Sequence, residues 1–166
     1  MRINLPFYDI IEKKECLMSD ILEYIKTNKV ELFKTILNDI SEYKYRDIRY
    51  DVEFSLVAVY CENVFTDDVE VLRKKLRETD RLIHLNDNLC CIILDGISEE
   101  ASEKAAENVN YHLLQINANN KYYISVSSSQ NCNSECKSML GHLFERLEYA
   151  IKNNLQNIVV YQDYVI

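Results

Sequence analysis

The most constraining feature of this chain is a change of period near Tyr50. Before it, apolar residues recur every three or four positions. Phe7, Ile10, Ile11, Leu17, Ile21, Leu22 and Ile25 are followed by Leu32, Phe33, Ile36, Leu37 and Ile40, the spacing of one face of a helix. Thr27-Asn28 reads as a break or N-cap between two such helices. After Tyr50 comes Phe54-Ser55-Leu56-Val57-Ala58-Val59-Tyr60. A short, β-rich apolar run of this kind fits a central strand covered on both faces.

The rest of the chain alternates. Thr66-Asp67-Asp68 is an acidic cap opening an amphipathic helix through Val69, Leu72 and Leu76. Leu82–Leu85 and Leu89–Leu94 flank Asn86-Asp87-Asn88 and read as a β-hairpin whose Asn and Asp take the strained turn positions. Gly96 ends the second strand, and Ser98-Glu99-Glu100 opens a helix to about Ile116. A strand over Tyr122–Ser128, a helix over Cys136–Asn153 and a strand over Ile158–Tyr161 complete the chain. The order predicts an α/β (α+β) domain with a ferredoxin-like or palm βαββαβ core, extra N-terminal helices and a C-terminal strand. That fold hosts many activities, so function must come from particular residues.

Composition narrows the classes. With only two glycines and one proline, tight turns fall largely to Asn and Asp. The formal charge of −8 opposes binding to a nucleic-acid backbone. It leaves room for a small phosphorylated ligand held by one or two arginines. No apolar run reaches the ~18–20 residues of a membrane helix, and no signal peptide is evident, so a soluble, cytoplasmic protein is expected. Of the six cysteines, Cys90 and Cys91 read as core thiols. Cys132 and Cys136 form a lone CxxxC, which would need two more ligands to hold zinc, with only His142 near in sequence. Free thiols are expected.

The hairpin region carries a resemblance. Arg77-Glu78-Thr79-Asp80 precedes Arg81-Leu82-Ile83-His84-Leu85, then Asn86-Asp87-Asn88-Leu89-Cys90, then Cys91-Ile92-Ile93-Leu94. This series resembles the RxxD motif, short strand, five-residue turn and apolar strand of the GGDEF (diguanylate-cyclase-type) family. Leu56–Asn63 is similar to that family's strand ending in Asp-x-Asp-x-Phe, and Tyr123–Ser127 to its T-x-S-x-G strand. Tyr149–Val159 resembles its Y-x-A-K-x-x-G-x-N-x-V ending, and Asp20–Ile25 faintly its opening. The resemblance therefore spans about residues 20–162. It divides the chain into an N-terminal helical extension, residues 1–19, and a GGDEF-like domain, residues 20–166, of a bacterial signal-transduction type.

The departures from the family pattern concern its chemistry. Where the resemblance implies metal-binding acids, Tyr60 stands at the first strand's end, and Asn88 and Leu89 stand in the turn. A neutral Asn is a weak ligand for a hard dication and Leu is none. Asn86 and Asp87 replace the two glycines whose backbone approaches the phosphates in the family. Glu62 and Asp87 remain nearby but shifted. The stretch before RxxD is shorter than the family's and lacks its guanine-recognising Asn and Asp. The expectation is a domain that is not an enzyme, with no cofactor and no metal, acting through a protein partner or as a homodimer through its N-terminal helices. RxxD survives, and in the family it binds cyclic di-GMP. Arg77 and Asp80, with Arg81 and His84 as further donors, are the candidate ligand site. The alternative for this pair is a solvated helix-end ion pair. An active cyclase using Glu62 and Asp87 is the least favoured reading.

Three further features read as structural. His112 sits mid-helix and suits packing or surface. His142, after Gly141, suits a helix cap or solvent. Ser127-Ser128-Ser129 lacks a nucleophile elbow and reads as a strand end.

Overall fold

The computed structural model describes residues 7–131 and 136–163, side chains of residues 7–19 and 131 excepted. Helix α1 (Phe7–Tyr50) is followed by β1 (Phe54–Cys61), α2 (Thr66–Arg73), β2 (Arg81–Asn86) and β3 (Leu89–Asp95). Then come α3 (Glu99–Ile116), β4 (Tyr122–Ser128), a 3-10 turn (Ser129–Asn131), α4 (Lys137–Lys152) and β5 (Val159–Val160).

The five strands lie in the order β2-β3-β1-β4-β5. β1 pairs antiparallel with β3, Leu56 opposite Ile93 and Tyr60 opposite Leu89, and antiparallel with β4, Val57 opposite Val126. β5 adds a short parallel edge, Ile124 opposite Val159. This is the expected βαββαβ core with a C-terminal strand.

Alternation along the strands builds two cores. Phe54, Leu56, Ala58 and Tyr60 of β1 face α1 and α4 together with Cys91, Ile93 and Tyr123. Val57, Val59 and Cys61 face α2 and α3 with Cys90, Ile92, Tyr122 and Ile124. Every residue of β1 is buried, as the unbroken apolar run requires.

The expected break at Thr27-Asn28 is absent, because α1 runs through it as one 44-residue helix. Asn28 donates its side-chain amide to the Tyr24 carbonyl within the helix, at 2.9 Å, rather than capping a new one. Ile21, Ile25, Leu32, Ile36, Ile40 and Tyr43 form the stripe that α1 buries, and these contacts across the sheet outweigh a weak local stop signal. The helix also passes residues 19 and 20 without interruption. The acidic cap of α2 differs as well. Phe65 occupies the N-cap without a side-chain hydrogen bond, Asp67 and Asp68 sit in the first turn, and the helix stops at Arg73, short of Leu76. Ser98 caps α3 as expected, its hydroxyl accepting from Ala101 N–H. Gly96, just past β3, takes the left-handed φ of 69°. Cys136 is disulfide-bonded, so the free-thiol expectation fails there, whereas Cys61, Cys90 and Cys91 are free and buried. Cys132 lies outside the described residues. No described helix is long and apolar enough to cross a membrane.

Candidate functional site

The β2–β3 hairpin turn packs against the end of β1. The expected strained conformation is not used there: none of Asn86, Asp87 and Asn88 has a positive φ, which among the described non-glycine residues falls instead on Asp51, Cys136, Asn154 and Asn157. Side chains set the turn. Asn86 Oδ1 accepts from Asn88 N–H at 2.8 Å, a local Asx-type bond. Asn88 Nδ2 donates to the carbonyls of Cys61, at 3.0 Å, and Glu62, at 3.2 Å. The backbone adds Cys61 N–H to Asn88 O and Phe65 N–H to Asp87 O. Asn88 therefore ties the turn to β1.

The side chains at the positions where the resemblance implies metal ligands are engaged in packing. Leu89 is fully buried and Tyr60 nearly so. Tyr60 stacks on Tyr123, with centroids 5.8 Å apart and planes at 28°. The Tyr123 hydroxyl lies 2.9 Å from Asn154 Oδ1 and 3.2 Å from Glu62 Oε1, and accepts from Gln156 Nε2. Burial raises the Tyr60 phenol above its ordinary range and pushes Tyr123 up to about 12, because the charged form loses solvation. Glu62, Asp68 and Asp87 are among the acidic residues at this end. Asp68 accepts from Asn120, and Asp87 from Thr66.

RxxD lies at the opposite end of β2, in the turn after α2. Arg77 and Asp80 form a forked pair, Nη2 to Oδ1 at 2.9 Å and Nε to Oδ2 at 3.2 Å. Asp80 also accepts from its own turn, Arg77 N–H at 3.1 Å, and from Asp95 N–H at 2.9 Å. A carboxylate has about four lone-pair sites, and all are engaged. The Asp80 side chain is 4% exposed against 57% for Arg77. Arg77 also donates to the Asp95 carbonyl, and its hydrogen bond to Asp80 raises its pKa.

The four candidate ligand residues are not one cluster. Arg77 and Asp80 line a cleft of about 250 Å³ with Lys75, Asn108 and His112 among others. Arg81 points to the opposite face of the sheet, toward Asp39 and Glu42 of α1, at 3.5 and 3.4 Å. There its guanidinium and that of Arg46 flank the Tyr43 ring, while the Tyr43 hydroxyl donates to Thr79 O at 2.7 Å. His84 is exposed, shares the α2/α3 side with Leu82 by strand alternation, and does not line the cleft. Sequence reasoning passed over Asn108 and left His112 to packing or surface, although their i, i+4 spacing puts both on one helix face.

No family model and no curated protein matches the chain, but solved structures do. The GGDEF domain of YfiN (TpbB) from Pseudomonas aeruginosa aligns with a TM-score of 0.64 at 10% identity, over 78% of this chain and 94% of that one. The active GGEEF domain of a diguanylate cyclase from Vibrio cholerae gives 0.54 at 14% identity, over 80% and 97%. The GGDEF domain of DgcB from Caulobacter crescentus, solved in complex with c-di-GMP, gives 0.54 at 9% identity, over 77% and 86%. The fold of this chain is that of a GGDEF domain.

Two measurements check the geometry. Asp80→Ala leaves the Asp95 and Arg77 N–H groups without their acceptor and should destabilise by about 1–3 kcal/mol in urea denaturation. Arg77→Ala leaves the Asp80 carboxylate, 4% exposed, with its backbone N–H donors but without its cation, and should also cost about 1–3 kcal/mol. A loss near zero for either variant would refute this pairing. The raised phenol pKa values of Tyr60 and Tyr123 add stability that is full below the ordinary 10.0 and is lost as pH climbs toward the folded values. Absorbance titration should therefore show a late phenolate phase that coincides with unfolding. Complete ionisation by about pH 11 in a folded protein would contradict this shielding.

Proposed function

We propose that this GGDEF-fold domain does not condense GTP and serves as a regulatory domain that acts through protein contact, with self-association through α1 as its mode. One observation carries the reading: Tyr60, Asn88 and Leu89 occupy the positions where metal-binding acids are expected, and each is engaged elsewhere. Leu89 is in the core, Tyr60 is stacked on Tyr123, and the Asn88 amide is bound to two carbonyls of the β1 end. Joining two triphosphates requires their charge to be neutralised at the reacting centre. An apolar wall and a neutral amide do not supply that, and Glu62, Asp68 and Asp87 place like charge near it. The length of α1 supports the contact mode. At 44 residues it spans about 66 Å, and Val30, Tyr45, Ile48 and Tyr50 stand exposed along it.

Incubation of the purified chain with GTP and Mg²⁺ or Mn²⁺ is expected to yield no cyclic dinucleotide by chromatography. Metal-dependent product that is lost in Glu62→Gln with Asp87→Asn would overturn the reading.

A second reading, a cyclic di-GMP receptor, is favoured by the exposed Arg77 guanidinium beside Lys75, Asn108 and His112 in one cleft. Phosphate would bind the free edge of Arg77, while Asp80 holds the arginine in place rather than touching guanine. Isothermal titration with cyclic di-GMP should then give heat that Arg77→Ala abolishes and Arg81→Ala leaves unchanged. No heat in the unmodified protein would remove this second reading.

A further inference from the structure

The far side of the domain, on α4, carries a cluster that neither reading uses. His142 was expected at a helix start, but it lies inside α4, the sixth residue of Lys137–Lys152. It shares a helix flank with Glu145, three residues on. The chain beyond β5 returns across this flank and brings Asp163 to it. One ligating atom from each of His142, Glu145 and Asp163 lies within 4.8 Å of the other two.

We infer that His142, Glu145 and Asp163 form a binding site for a borderline divalent transition ion of the zinc class, which fastens the segment after β5 to α4. Three observations carry it. Asp163 is pre-positioned: Arg146, 8% exposed, donates Nη1 to the Val126 carbonyl at 2.8 Å and Nε to Asp163 Oδ1 at 3.0 Å. A ligating carboxylate is commonly oriented in this way by a hydrogen bond to its distal oxygen. The other oxygen, Oδ2, stands 2.8 Å from His142 Nδ1. That nitrogen is shut off from solvent and has no partner in hydrogen-bonding geometry, so the two atoms face each other at close range without a well-aligned hydrogen bond. Two ligand atoms 2.8 Å apart and each about 2.0–2.1 Å from an ion subtend roughly 85–90° there, the angle of neighbouring positions in an octahedral shell completed by water. A small outward turn of the exposed Asp163 opens it toward the tetrahedral angle zinc prefers.

The donor set names the class. An imidazole nitrogen with two carboxylate oxygens suits zinc and its neighbours, whereas magnesium and calcium take oxygen ligands. The two carboxylates offset the dication, with Arg146 on Asp163 leaving about one positive charge over. Glu145 is exposed and borders an open cleft of about 200 Å³, which gives the ion a way in.

The test uses the full chain, stripped with chelator and then titrated with Zn²⁺ by calorimetry and with Co²⁺ by visible absorption. Expected are one ion per chain, a melting temperature that rises with ion concentration, and at least a tenfold loss of affinity in His142→Gln and in Asp163→Asn. Glu62→Gln, at the hairpin end, should bind normally. Circular dichroism confirms folding, and if Asp163→Asn fails to fold, the partly exposed His142 decides. The proposal falls if the unmodified chain binds no zinc, if His142→Gln binds within twofold of it, or if the cobalt spectrum shows thiolate charge-transfer bands.

Discussion

Everything in this domain is hung on β1. Its eight residues are buried on both faces, and its backbone is paired on one side with β3 and on the other with β4. The two cores are therefore linked through one strand, with Leu56 and Ala58 committed to one and Val57 and Val59 to the other. A slip of one residue would exchange the two sets. This fixes where β1 ends, and so where Cys61 and Glu62 offer their carbonyls to Asn88.

The two ends of the hairpin share a physical logic. At one, a side-chain amide is bound to backbone carbonyls; at the other, the Asp80 carboxylate is bound to backbone N–H groups and to Arg77. In both, a polar residue at a position where the resemblance implies a ligand contact is holding chain segments together. Buried polar groups need such partners, and satisfying them removes their capacity to meet a solute. What stays available is the outer edge of Arg77 and the α3 residues across the cleft.

Much of the architecture was legible because strand and helix periods are written in the apolar residues. β4 was read at Tyr122–Ser128, and the strand order follows from the order of the elements. The continuity of α1 was not legible, since Thr27-Asn28 is a local signal and the sheet and α4 residues against which its stripe packs lie far along the chain. The turn was misread for a similar reason. Asn tolerates the left-handed region, but Asn86 and Asn88 satisfy the backbone through their side chains instead, and Asn154 and Asn157 take positive φ. Arg77 and Asp80 come together as the resemblance to RxxD implies. That Arg81 turns to the other face is implicit in strand alternation, yet its partners Asp39 and Glu42 lie some forty residues away. Asp163 and His142 come from separate elements, so nothing short of the folded chain brings them together.

The stacked tyrosines at the end of β1 also constrain what this sequence could become. Placing a carboxylate at position 60 would set an ionisable group in a site 3% exposed, against the Tyr123 ring. Without a cation it would be held protonated or would loosen the sheet. Any lineage moving toward a charged ligand there has to open that aromatic pair first. The order of mutational steps is thus restricted, and the packed state behaves as an evolutionary ratchet.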